Sequence, residues 1–562
     1  MAPAPNRLKG LNLPNLKLHT PVRVQLLSPY IHGYLWHQYL LDGFTYGFRL
    51  GYTGPRISSS SPNLKSCVDD PATVHKKLHQ ELQAHRVRGP FCRPPFPNLK
   101  VSPIGLVPKK TPGEFRLIHH LSYAKGTSVN DSIETSLASV SYSSFDDATS
   151  KLLTLGPGTL LAKTDIDSAF RLIPIHPDDH CRLGFRFNEI FYFDTCLPMG
   201  ASSSCAIFER FSCGLQFAAE THLNIQHIVH ILDDFLFLSS DEAASCQSDL
   251  NSFLRFCDYI GVPIKKEKTE SARTVITFMR LELDSVAMEA RLPADKLSKV
   301  RGKLLHLSRS RNVTLKELQS LLGLLNFCCQ VVLPGRCFLR RLIDLTKNVT
   351  KPNHRITLNK ESRRDLQALS IFIDQFNGRS LLLAQQWLTT HALHLYTDAS
   401  GSIGFGAIFR THWTYGTWPE SISAFHITFK ELFPIVLSVE VWGPLLRNKC
   451  IVLHTDNMAV VHVLNNQTSK NPDIMVLVRR FVIACMRQYI DTRCTHSRHL
   501  QCLTGFTFSF TDRQVPRVST QCRSRTYHVA SGPPYNALNA AVSQLLSASL
   551  SPSSVTAYKK CP

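Results

Sequence analysis

Ile228-Val-His-Ile-Leu-Asp-Asp-Phe-Leu-Phe-Leu238 sets two adjacent aspartates, Asp233 and Asp234, inside an otherwise apolar run. The flanking residues are β-branched, aliphatic or aromatic and show no helical period, so each flank predicts a short strand. Neighbouring carboxylates repel each other and favour a turn, which divides the run into strand, tight turn, strand. A buried carboxylate without a partner is costly or gives up its charge. A divalent cation satisfies such a pair, because hard oxygen ligands suit magnesium. Taken alone, the motif fits an ordinary Asp-Asp hairpin turn equally well.

Three upstream stretches bear on that choice. Lys163-Thr-Asp-Ile-Asp-Ser-Ala-Phe-Arg-Leu-Ile-Pro-Ile175 places Asp165 at the end of a predicted strand. Nucleotidyl transfer needs two metal ions about 3.5–4 Å apart, one at the attacking oxygen and one at the triphosphate. Carboxylates from separate strands must converge to hold them, and Asp165 and Asp233 suit this if their strands are neighbours. Leu197-Pro-Met-Gly-Ala-Ser-Ser203 carries Met199 and Gly200, and a glycine among small residues lets backbone approach a nucleotide or template. Val107-Pro-Lys-Lys-Thr-Pro-Gly-Glu-Phe-Arg-Leu-Ile118 reads as a β-hairpin with Pro112-Gly113 at the centre of a type II turn. Its Lys109, Lys110 and Arg116 are suited to a triphosphate.

A second set of acids lies downstream. Thr397-Asp-Ala-Ser-Gly401 follows a predicted strand, Lys430-Glu-Leu-Phe-Pro-Ile-Val lies on a predicted helix, and His454-Thr-Asp-Asn457 ends another strand. Asp398, Glu431 and Asp456 therefore sit on separate elements of one α/β unit. Two-metal hydrolysis of a phosphodiester needs such a cluster.

The whole chain agrees with a nucleic-acid enzyme. At 562 residues it exceeds one ordinary domain, and 43% hydrophobic content supports packed cores. A formal net charge of +21 suggests a polyanionic partner. The 17 cysteines are scattered without a disulfide framework, the first residues lack the pattern of a signal peptide, and no run is long and apolar enough to span a membrane. A reducing, intracellular setting is expected, with cytoplasm and nucleus not distinguished. Pro55 to Pro71 is Ser- and Pro-rich and predicts a linker. Residues 293–347 predict helices, with Thr314-Leu-Lys-Glu317 as a capping box.

In order and spacing, the basic hairpin, the Asp165 segment, Pro198-Met-Gly200, Asp233-Asp234 and Gly261-Val-Pro-Ile-Lys-Lys-Glu-Lys268 resemble a reverse transcriptase. Ser102-Pro-Ile-Gly-Leu-Val-Pro-Lys-Lys and Phe115-Arg-Leu-Ile-His-His-Leu-Ser-Tyr are most similar to the DIRS-type retrotransposons, which join a reverse transcriptase to a tyrosine recombinase. The downstream acids, with Thr455-Asp-Asn-Met-Ala-Val-Val, resemble ribonuclease H. The resemblance implies an α+β right-hand polymerase of fingers, palm and helical thumb, followed by an α/β ribonuclease H-like domain. It implies an N-terminal extension over 1–90, fingers and palm over 91–285, a helical thumb and connection over 286–385, and the nuclease over 386–492. Asp165, Asp233 and Asp234 become metal carboxylates of the polymerase, and Asp398, Glu431 and Asp456 those of the nuclease. Each site would take two Mg2+ ions, with Mn2+ as the alternative. Phe170 falls at the position that excludes a ribonucleotide 2′-hydroxyl, and Lys268 at the lysine that protonates departing pyrophosphate, the other reading of Lys268 being a solvated surface lysine. Partners would be an RNA template, a DNA primer, an RNA–DNA hybrid and dNTPs; the oligomeric state is not implied.

The chain departs from the family at several points. Ile231 stands where retroviral enzymes have Tyr, and Arg280 in Phe278-Met-Arg-Leu281 stands where the family has Gly. The fourth nuclease acid, expected shortly after residue 490, is absent; Asp491 and Asp512 lack its context. These departures raise the alternative of an impaired copy that only binds nucleic acid. Residues 493–535 are crowded with Arg, Ser, Thr, Cys and His and are read as translated out of frame. Cys494, His496, His499 and Cys502 have zinc-ligand chemistry but match no common finger spacing. Residues 536–562 resemble the opening helices of a tyrosine recombinase, and the end at Cys561-Pro562 suggests a truncated frame.

Overall fold

A computed structural model describes residues 18–496 except 110–112, 241–242, 376, 378, 381–386, 411, 448 and 489. The recombinase-like stub, residues 497–535 of the irregular window, Lys110, His499, Cys502 and Asp512 therefore lie outside the described residues. The chain divides into two compact units, Met1–Met279 and Arg280–Pro562.

In the first unit a hairpin of β1 (Ile104–Pro108) and β2 (Phe115–His119) precedes β3 (Leu160–Asp165). Helix α1 (Ser204–His222) leads to β4 (Ile228–Ile231) and β5 (Asp234–Ser239), then α2 (Ala243–Ile260) and β6 (Glu270–Arg273). The last four strands form an antiparallel sheet in the order β6-β3-β5-β4. Phe235, Leu236, Phe237 and Leu238 on β5 are all buried. A central strand covered on both faces reads as an unbroken apolar run rather than an alternation. The Phe253 ring of α2 lies 5.0 and 5.3 Å from those of Phe235 and Phe237, fixing the helix on one face.

Residues of the expected N-terminal extension enter the same core. Leu27, Ile31, Leu40, Phe44 and Phe48 are buried with Phe211, Leu215 and Phe253. The Ser- and Pro-rich stretch is also structured. Ser59–Ser60 pairs in parallel with Lys100–Val101, and Cys67 on helix Lys65–Asp69 is buried with Val74, Ile104 and Phe185. The apolar residues within this stretch, outvoted in composition, anchor it.

The second unit begins with the expected helices, α3 (Ala294–Arg309) and α4 (Leu315–Cys328). Thr314 accepts from the Glu317 amide, and Glu317 accepts in return from the Thr314 amide, so the capping box is complete. Helix α5 (Lys360–Gln375) follows. Next come β7 (Trp387–Thr389), β8 (Leu395–Ala399), β9 (Gly404–Phe409), β10 (His412–Thr417), α6 (Ile427–Trp442), β11 (Cys450–Thr455), α7 (Met458–Asn466), α8 (Pro472–Arg487) and β12 (Asp491–His496). β8, β9 and β10 form an antiparallel sheet, while β7, β11 and β12 run parallel. A short helix, Thr390–Leu393, joins β7 to β8. The sequence predicts strand from Leu393, but His394 takes a left-handed φ of 53° and β8 starts at Leu395, two residues later than predicted. β12 carries the parallel sheet through residues 493–496. No helix of the described residues is long and apolar enough to cross a membrane.

Candidate active sites

The register of β3, β4 and β5 builds the first site. Asp234 pairs with Asp165 across β3–β5 and with Ile231 across β4–β5. Leu232 and Asp233 are thus the two loop residues of a tight hairpin, and the Asp233 carbonyl accepts from the Ile166 amide at 2.9 Å. Two carboxylates on adjacent strands, Asp165 and Asp234, and a third in the turn, Asp233, lie at one sheet end. Burial raises the Asp233 carboxyl above its usual range, and Asp165 adds to the shift. Burial likewise pushes Asp234 up to about 6, with Asp165 and Asp233 contributing. Such crowding disfavours the charged forms and suits oxygen-seeking divalent cations. The donor set therefore fits the expected metal.

Cations ring this cluster. Lys268 Nζ donates to Asp165 Oδ2 at 2.5 Å. This ties the residue expected at the pyrophosphate to the carboxylates. Lys163 pairs with Glu270 at 2.9 Å, and its charge also reaches Asp234. Arg116 on β2 is exposed, and its charge reaches Asp233 weakly, against the effect of burial. Lys109, also exposed, pairs with Glu114 at 3.1 Å. Gly113 in the hairpin loop has φ +81°, as a type II turn requires of its third residue.

The remaining expected residues divide. The Phe170 ring is half-buried, 5.2 Å from that of Phe208, just after Asp165 in a short turn. Met199 is 57% exposed. Gly200 is needed for a reason the sequence did not disclose. A Cβ there would stand 2.1 Å from the His119 carbonyl oxygen on β2. Asn130 Nδ2 also donates to the Gly200 carbonyl at 2.8 Å. The glycine locks its loop to β2.

The second site joins Asp398 on β8, Glu431 on α6 and Asp456 just after β11. Burial pushes Glu431 up to about 7, and Asp456 and Asp398 add to the shift, so the three acids converge. Asp398 and Asp456 are exposed, leaving the cluster open to solvent. Asp491 stands opposite Cys450, at the far end of β11 from Asp456, and does not join them. Cys494 is buried in β12, while His496 at the strand's end is exposed.

Sequence reasoning missed the support beneath the first site. Glu209 on α1 and His230 on β4 are both buried. Glu209 Oε2 accepts from the Leu232 amide at 3.0 Å. The available signal was an acid between Phe208 and Phe211, two core residues of one helix.

The model for the family described as "Reverse transcriptase (RNA-dependent DNA polymerase)" matches residues 107–286. A Gag-Pro-Pol polyprotein of Mason-Pfizer monkey virus is 22% identical over 286 residues, 49% of this chain. The chain spans only 14% of that relative's length. A foamy viral protease-reverse transcriptase, solved with an RNA/DNA hybrid, is similar with TM-score 0.50 and 16% identity, over 90% of this chain and 67% of that one. The matched residues contain the converging carboxylates Asp165, Asp233 and Asp234, and this chain therefore carries a reverse transcriptase domain of the kind found in retroviral and retroelement Pol polyproteins.

Proposed function

We propose that the chain is an RNA-directed DNA polymerase with a linked ribonuclease H, copying a retroelement RNA into DNA and degrading the RNA of the resulting hybrid. The observation that carries the polymerase reading is the register that sets Asp165 beside Asp234, with Asp233 in the adjoining β4–β5 turn. Asp165, Asp233 and Asp234 would hold two divalent ions, Mg2+ or Mn2+. Bound there, the ions would supply activation of the primer 3′-hydroxyl and charge neutralisation at the triphosphate.

The chain's own residues do the rest. Arg116, whose charge reaches Asp233, and the exposed Lys109 attract the triphosphate of a dNTP, and Lys110, outside the described residues, is assigned the same role from the sequence. Phe170 crowds the sugar and favours deoxyribose. Met199 and Gly200 line the path of the template. Lys268 sits close enough to the carboxylates to deliver its proton to departing pyrophosphate. In the second unit Asp398, Glu431 and Asp456 form the hydrolytic cluster, and its exposed face admits the RNA strand. Finer ancestry among DIRS-type elements rests on the local wording of the fingers segments.

Primer extension on a homopolymeric RNA template tests the polymerase reading. Asp233→Asn is expected to lower incorporation by at least about 10³-fold, the scale of losing an essential electrostatic group. Retained incorporation would overturn the assignment. The converging, mutually perturbing carboxylates favour catalysis over a binding-only role.

A further inference from the structure

We propose that Glu209 is a positioning residue of the Asp233-Asp234 turn, held in place by His230 and Gln216. The inference rests on the polymerase reading above and adds residues that touch neither nucleotide nor metal.

The turn contains a strained residue. Leu232 has φ +52° in the first of two loop positions, where a II′ hairpin favours glycine. A leucine holds that conformation only if its surroundings over-determine it. Glu209 Oε2 supplies one such restraint, accepting from the Leu232 amide at 3.0 Å. The side chain of Leu232 packs on the core below. The next residue is Asp233, so the angle at Leu232 sets where that carboxylate points.

Glu209 is itself fixed. It is only 5% exposed, and its other oxygen, Oε1, lies 3.4 Å from His230 Nε2. His230 Nδ1 lies 2.5 Å from Gln216 Oε1, and the imidazole stacks on Phe235 with centroids 5.1 Å apart. Glu209 and Gln216 lie seven residues apart on α1, two turns along one face. His230 thus presents both ring nitrogens to oxygen acceptors, the arrangement of an imidazolium. A carboxylate–imidazolium pair on α1 and β4 thereby clamps the backbone one residue before the metal-binding acids.

The same atoms admit a rival. Glu209, Cys213 and His230 could together hold a metal ion, and Cys213 Sγ lies 3.7 Å from His230 Nε2. A bound ion would occupy the space that the imidazolium proton fills. The short contact of Nδ1 to Gln216 is compatible with both, so elemental analysis separates them.

The test uses the full chain. Mn2+ affinity of the polymerase carboxylates is measured by electron paramagnetic resonance in an Asp398→Asn/Glu431→Gln/Asp456→Asn background, which removes the second cluster. Glu209→Met, similar in size but lacking the acceptor, is expected to weaken Mn2+ binding about tenfold, as misplacement of one ligand implies. Glu209→Gln keeps an acceptor oxygen and is expected to stay within about threefold of the parent. If Glu209→Met fails to fold, Glu209→Asp replaces it, since the shorter side chain retracts the acceptor while keeping the charge. Parental affinity in a folded Met or Asp variant would overturn the proposal. So would equal loss in Glu209→Gln, or one equivalent of zinc in the parent that disappears in Cys213→Ser. Primer extension runs in parallel. Absent extension with the expected Mn2+ pattern would sink the polymerase reading and leave the positioning role standing.

Discussion

At the residue scale, the acids of the first site trade stability for chemistry. Asp234 is pushed up to about 6, chiefly by burial. A carboxyl whose folded value lies above its unfolded value favours the native state most when protonated. Without metal, this contribution is therefore present below about pH 4 and lost as pH rises through about 6. Added Mg2+ binds the ionised form and should offset the loss. The expected outcome is a Mg2+-induced rise in melting temperature that is larger at pH 7.5 than at pH 5, and smaller in an Asp233→Asn/Asp234→Asn variant, which keeps only the second cluster. A rise independent of pH would count against metal binding at these acids. A second residue-scale effect concerns Arg280. Met279 and Arg280 take φ of 47° and 67°, both left-handed. Arg280→Gly removes a Cβ penalty and should stabilise by about 0.5–1 kcal/mol in urea denaturation. The departure noted in the sequence is thus a strained turn that the chain sustains.

At the element scale, helices α5 and α8 of the second unit share a buried ionic contact. Asp365 on α5 lies 3.1 Å from Arg341 and 3.7 Å from Arg479 on α8. Burial pushes Asp365 up to about 6 even against the pull of the two guanidinium groups. Removing one member of such a set leaves buried charge uncompensated, which costs ~3–5 kcal/mol. Asp365→Ala should lower the urea midpoint of the second unit accordingly, and a change under about 1 kcal/mol would show that solvent already reaches these arginines. This contact was not legible in the sequence, because residues 341, 365 and 479 are brought together only by tertiary packing. Other elements were legible. The β4–β5 hairpin followed from carboxylate repulsion between two apolar flanks, and the cap of α4 from Thr314 and Glu317. The helix over 390–393 was not, because Leu393 continues an apolar run that looks like strand until His394 turns left-handed. The contact of Gly200 with β2 was not legible either, since a neighbouring strand that only the fold supplies is what crowds it.

At the scale of the whole molecule, two carboxylate clusters occupy two compact units, and the chain as a whole carries a net charge of +21. That charge should make binding to an RNA–DNA hybrid steeply salt-dependent, with log affinity falling linearly against log salt as counterions are released. If about six phosphates are neutralised, affinity should drop by about 10³ between 50 and 200 mM salt. The slope belongs to the basic surface and not to the acids, so Asp233→Asn and Asp398→Asn should each leave it unchanged in filter-binding titrations. The two activities should instead separate cleanly. Asp398→Asn is expected to abolish cleavage of the hybrid's RNA strand while primer extension stays within about twofold, and Asp233→Asn to do the reverse, as sites with no shared partners behave additively. Glu431, pushed up to about 7 by burial and by its two acidic neighbours, should give the cleavage a rise with pH through neutrality that extension does not share. Loss of both activities in either single variant would mean that one cluster serves both reactions, and would overturn the assignment of a separate nuclease to the second unit.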